Sequence, residues 1–201
     1  MAMHRIALAL RRSRVAIAVM AATYVVSVTS GIIAAHRGAA VALRGRDRIV
    51  HEAHRSDASS RADDRGAHAQ AAAIDFGRNL ALGGIPDTIG GLLFVMPVGT
   101  AMYRGWVGGI VSVDGRHRSR FRTPASARYY IITMLLQLSA FTLAGAAGLH
   151  LGYDNLWGGG ARLGPAWLRL PREGLADVAA LYALVVPLFA CGSAFEFLIS
   201  Q

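Results

Sequence analysis

The chain has 201 residues, 54% of them hydrophobic and only 16% charged, well below the roughly 25% charged residues of an ordinary soluble domain. Its net charge is +9, and all 21 basic residues are arginine. These arginines flank apolar blocks instead of forming one stripe, which argues against a nucleic-acid-binding protein and for a polytopic membrane protein. The single cysteine, Cys191, excludes an internal disulfide and reads as a small packed residue.

Residues 1–14 form a short basic segment with Arg5, Arg11, Arg12 and Arg14. The apolar run 15–35 that follows carries no charge. It is longer than the core of a signal peptide and lacks a clean small-x-small cleavage site, so it is expected to be an uncleaved first membrane helix. Residues 36–82 mix arginine, acid and alanine, which predicts solvent-exposed helices with mixed charge. Ser60 with Asp63 gives an N-cap signal. Ile74, Leu80 and Leu82 form a weak apolar face, expected to lie on the membrane surface or to dip into it. Gly83 is expected to end that helix as a C′ glycine, with a break at Gly83-Gly84-Ile85-Pro86.

A second crossing is then expected over 87–113, bent at Pro97. Residues 114–128, DGRHRSRFRTPASAR, form a basic loop. A third crossing spans 129–151, with Tyr129 and Tyr130 at its interfacial end. A Gly/Trp loop over 152–174 places Trp157 and Trp167 along the opposite interface. A fourth crossing spans 175–199. Arginine counting in short loops puts the basic N-terminus and the 114–128 loop in the cytoplasm, with 36–82 and 152–174 outside and both termini inside. On that count a two-helix hairpin within 79–113 would invert the second basic loop, and it is not expected. The fold class is therefore all-α, a bundle of four transmembrane helices with one amphipathic or re-entrant helix before the second crossing. The location is a bacterial inner membrane.

The pairs Gly105/Gly109 and Gly148/Gly152 have G-x-x-x-G spacing, which flattens a helix face for close approach of another helix, within the chain or in a second copy. Asn79, Asp87, Arg104, Gln137, His150 and Glu196 are polar groups in or near apolar spans, where such groups tend to face a bundle interior, a partner or a water path. His51-Glu52-Ala53-His54 departs from a zincin helix because its histidines are three apart, not four. No phosphate-binding loop, nucleophile elbow or dinucleotide fingerprint is present. The expectation is a protein without catalytic residues, cofactor or metal, whose partners are the bilayer and another protein or a second copy, and not nucleic acid.

Asn79 with Gly83-Gly84, then Gly99 and Gly105 to Gly109, then Pro124 onward through TPASARYYIITMLLQLSAFTLAGAAGLHLG, resembles the stage II sporulation protein M family over about residues 70 to 200. The family's Pro-His-Gly motif does not follow Pro124. The resemblance implies a non-enzymatic membrane scaffold or partner-binding subunit of a cell-envelope complex. The rival expectation is a small transporter or channel component, with a polar site at the broken helix 79–87. A transporter would bring Asp87, Arg104 and Glu196 onto one polar cavity. A scaffold would leave them at interfaces or pair them without a cavity.

Overall fold

The computed structural model describes residues 2–158, 162–163 and 170–199. In chain order the elements are α1 (Ala2–Arg12), α2 (Arg14–His36), α3 (Ala40–Ser56), α4 (Ala58–Asp64), α5 (His68–Arg78), α6 (Ile85–Gly90), α7 (Val95–Ile110), α8 (Pro124–Trp157), a two-residue antiparallel ladder of β1 (Arg162–Leu163) with β2 (Leu170–Pro171), and α9 (Arg172–Ala194). Wide π-helical turns at Asn79–Gly84 and Phe195–Ile199 continue α5 and α9. The fold is all-α, and three of its helices are long and apolar enough to cross a membrane: Arg14–His36, Pro124–Trp157 and Arg172–Ile199.

Glycine contacts fix the helix directions. Gly105 lies against Tyr24 and Ser27, and Gly109 against Val28 and Gly31, so α2 and α7 run parallel. The approach is so close that a Cβ on Gly31 would stand 2.7 Å from the Trp106 carbonyl oxygen. Helix α8 runs the other way, with the Tyr130 hydroxyl donating to the Gly108 carbonyl at one end and Gly145 beside Pro97 further along. Helix α9 returns antiparallel to α8, with Gly174 at Leu151 and Gly192 at Gln137.

The run from α5 through α6 also lies along α8. Gly83 meets Phe141, Thr88 meets Ala144 and Gly148, and Gly91 meets Gly148 and Gly152. It therefore travels from the His36 end of the bundle to the opposite end, turns at Phe94 and comes back as α7. The expected single crossing over 87–113 is instead two antiparallel arms, the hairpin that arginine counting had disfavoured. Neither glycine nor proline makes the turn. Phe94 does, at φ 57° and ψ −45°, a conformation costly for a residue with a Cβ. Gly83 does not terminate α5 either, because Gly84 and Ile85 keep right-handed helical angles. Pro86 lacks an N–H, and the wide turn before it lets the axis run on.

This path corrects the expected sidedness. His36 Nε2 lies 2.9 Å from Ser119 Oγ, and His117 Nε2 lies 3.0 Å from Asp47. The 36–82 segment thus begins against the basic loop, and a bilayer cannot separate two segments whose side chains touch. The chain's two ends also separate. Helix α1 packs on the start of α9, with Arg12 at 3.2 Å from Glu173, whereas Phe195 stacks on Tyr129 at the His36 end. Helix α8 continues past the expected end of its span, so Gly152 and Trp157 are helical and not part of a loop. Trp167 lies outside the described residues.

The main core gathers Met20, Tyr24, Ala101, Phe141, Ala144, Val185 and Phe189 from α2, α7, α8 and α9, with Phe141 and Phe189 packed edge to face at 4.7 Å. A second, small cluster of Ala35, Ala42, Ile110 and Val113 holds α3 on the ends of α2 and α7.

Candidate functional site

Helix α7 carries Thr100 and Arg104 four residues apart, hence on one face. Both reach Asp87 on the facing arm. Thr100 Oγ1 donates to Asp87 Oδ1 at 2.9 Å, and the Arg104 guanidinium donates to Asp87 Oδ2. Asp87 is 3% exposed. A carboxylate so placed is stable only with a partner. Arg104 Cζ also stands 4.3 Å from the Phe141 ring centroid, a cation–π contact. Next to Asp87, the Thr88 hydroxyl sits within hydrogen-bond distance of the Gly84 and Ala144 carbonyls and of the Tyr182 hydroxyl at 2.8 Å.

A second polar group lies nearer the His36 end. Asp75 accepts from Asn79 Nδ2 at 2.9 Å and from Ser193 Oγ at 2.7 Å. Glu196 accepts from Gln137 Nε2 at 2.7 Å. Arg104, Asn79, Gln137 and Glu196 all line one cavity of about 570 Å³, which continues past Arg78 to Arg120 at the basic loop. Its inner wall is Phe141, backed by Phe189. The Thr133 hydroxyl, on the same wall, is buried without a hydrogen-bond partner. Both π-helical turns border this cavity, one through Asn79 and the other through Glu196.

Of the residues singled out in the sequence, four thus share a cavity and Asp87 anchors one of them from behind. His150 does not join them. It lies near the Phe94 end, 3.2 Å from Asp177 and 3.4 Å from Asp154. Gly105 and Gly109 are consumed against α2, and Gly148 and Gly152 against the arm ending at Gly91. Sequence reading missed Asp75, Thr88, Thr100, Ser193 and Asp177. The spacing of Asp75 to Asn79 and of Thr100 to Arg104, each four apart on an apolar helix, was the available signal.

The rim at the His36 end is held electrostatically. The Asp114 carboxylate accepts from the Arg118 and Arg116 backbone N–H groups at 2.9 and 2.8 Å and from the Arg118 side chain. The Arg118 amide leads these in holding its pKa down to about 2. Asp47 is likewise held below the usual carboxylate range by Arg46 and His117. Burial pushes Asp57 up, but the Ser59 amide and Arg78, at 2.6 Å, outweigh it and keep it low. Among the described residues no three His, Cys, Asp or Glu side chains gather where they could hold a metal. His51 and Glu52 are exposed on α3.

Comparison with family models, curated proteins and solved structures found no match.

Proposed function

We propose that this chain is a bacterial inner-membrane protein that binds a small polar solute in the cavity beneath the basic loop and serves as a transporter or channel component. The observation that carries the reading is the convergence of Arg104, Asn79, Gln137 and Glu196 on one cavity of about 570 Å³. That volume lies within the range of small-ligand sites, and ionisable groups held inside an apolar bundle mark solute paths.

In this reading the chain crosses the bilayer five times, through α2, the α5–α6 arm, α7, α8 and α9. The His36 end carries seven arginines between 37 and 67 and five between 116 and 128, against seven in segments 5–14 and 162–172. The positive-inside rule then places the His36 end, with the C-terminal end of α9, in the cytoplasm and α1 outside. The cavity would open inward, with the glycine seam of Gly91, Gly148 and Gly152 as the outer closure.

The test is side-specific labelling. In a Cys191→Ala background, Thr133→Cys is expected to react with a charged, membrane-impermeant thiol reagent supplied from the cytoplasmic face and not from the other. Absence of reaction from both faces would remove the cavity as a solute site.

A scaffold role, with kinship to the stage II sporulation protein M family, is the second reading. It is favoured by α3, a 17-residue helix whose Arg44, Arg48, Glu52 and Arg55 are exposed. The two G-x-x-x-G pairs lend it no support, since both are spent on contacts inside the chain.

A further inference from the structure

A second site lies outside the bundle. The basic loop and the start of α8 form a pocket of about 700 Å³, lined by Arg118, Arg120, Arg122, Ser119, Thr123 and Ser126. Asp114 also lines it, but its carboxylate is committed to Arg118 and to two backbone amides. Arg120 and Arg122 form no ion pair among the described residues, and the buried Nε of Arg120 has no hydrogen-bond partner. The pocket therefore holds cationic charge with no carboxylate in direct contact, although Arg120 also borders the inner cavity that Glu196 lines.

Phe121, between those two arginines, belongs to a different surface. It heads a groove of about 550 Å³ between α2 and α8, walled by Val25, Val28, Ile32, Ile131 and Leu135. Along α8 the groove runs from Tyr130 to Thr142. At the rise of an α-helix this is about 18 Å, close to one leaflet of a hydrocarbon core roughly 30 Å thick. The groove is almost wholly apolar, and its open side faces outward from the bundle. The arginines and the groove meet at Phe121, which lines the groove and lies between Arg120 and Arg122 in sequence, so a charged head precedes an apolar tail as in a phospholipid.

We propose that this composite surface binds an anionic phospholipid, its phosphate between Arg120 and Arg122 and one acyl chain in the α2–α8 groove. Charge complementarity selects the headgroup: guanidinium forks bind phosphate oxygens in pairs, and a zwitterionic lipid would bring its own cation into an already cationic pocket. Groove length selects a lipid over a free anion. The inference rests on the bundle lying in a bilayer, not on the solute cavity.

Native mass spectrometry of the full chain in detergent tests it, with dioleoylphosphatidylglycerol, dioleoylphosphatidylcholine and inorganic phosphate as probes. Phosphatidylglycerol adducts are expected to exceed phosphatidylcholine adducts more than tenfold, since each arginine near an anionic surface contributes about fivefold. Arg120→Gln with Arg122→Gln should bring the two lipids level. Arg122→Gln alone, at an exposed position, should lose part of the preference and is the variant to read if the double one fails to fold. Ile131→Trp should fill the groove and weaken phosphatidylglycerol retention with both arginines intact. Equal adducts in the unaltered protein, an unchanged ratio in the arginine variants, or full displacement by millimolar phosphate would each overturn the proposal, the last by showing a free-anion site. None of these results bears on Thr133 labelling, so the two readings fail separately.

Discussion

Replacing Gly91 with alanine tests whether the α5–α6 arm is held against α8 by backbone contact. A methyl at Gly91 would collide with the Gly148 backbone, and a methyl at Gly148 would stand 2.8 Å from the Asp87 carbonyl oxygen and the Thr88 Cα. Carbon atoms rest at about 3.5–4.0 Å, so the two elements must part by roughly 1.5 Å at Gly91. Backbone cannot swing away as a side-chain tip can. Overpacking of this kind costs about 1–3 kcal/mol, and parting the helices also strains the Thr88 hydroxyl contact with the Ala144 carbonyl, at 2.9 Å, for about 1 kcal/mol more. The expected loss is about 3 kcal/mol, read by sodium dodecyl sulfate titration in mixed micelles with far-UV circular dichroism. Two controls set the scale. At Gly99 the space is open, so Gly99→Ala should be neutral or stabilising by up to about 1 kcal/mol through helix propensity. At Gly108 the clash is with the flexible Met134 tip, so Gly108→Ala should cost less than about 1 kcal/mol. If Gly91→Ala is no worse than Gly99→Ala, the seam is not a backbone contact and the arm does not dock as described.

Asp87→Asn leaves Arg104 charged and unpaired beside Phe141, and should cost about 3 kcal/mol, whereas Asp87→Leu with Arg104→Leu should recover most of it, as replaced buried ion pairs commonly do; a double-mutant cycle in the same titration reads both. At Phe94, glycine should be about 1–2 kcal/mol more stable than alanine, because both lose the edge contact with Trp157 at 5.9 Å but only alanine keeps the cost of φ 57°; equal stabilities would refute strain at the turn. The Asp114 pKa is depressed in the folded loop, so its contribution is complete above the unfolded value near 4 and disappears as pH falls through about 2. Carbon-13 NMR of the carboxyl should show a midpoint near 2, and one near 4 would refute the amide cradle.

The long apolar helices were legible because twenty apolar residues in a row need no periodicity to be read. Residues 15–35, 129–151 and 175–199 fall inside α2, α8 and α9 with its terminal wide turn. The α5–α6 arm was not legible. Its apolar content is mostly alanine and glycine, and Asp75, Arg78, Asn79 and Asp87 make it look like surface until their partners Ser193, Asp57 and Arg104 are seen beside them. That one misreading put the basic loop opposite a segment it touches. The Phe94 turn carried no signal at all, since turns are recognised by glycine and proline. The glycine pairs announced close approach but could not say to what. Candidate site residues fared better, because a polar side chain in an apolar run stands out without any knowledge of its partner.

The two wide turns link fold to site. A π-helical turn is less favourable than an α-helical one and persists only where surroundings support it. This chain has one at Asn79–Gly84 and one at Phe195–Ile199, on different helices far apart in sequence. Each begins at or next to a polar residue that lines the same cavity. Pro86 explains the first locally, but nothing of the kind follows Phe195. A packing seam has no use for such turns, and the Gly91–Gly148 seam, where the helices touch most closely, has none. What the turns do share is a cavity wall. Each shifts the helix phase where a polar side chain faces inward among apolar neighbours, the placement that the proposed solute site would use.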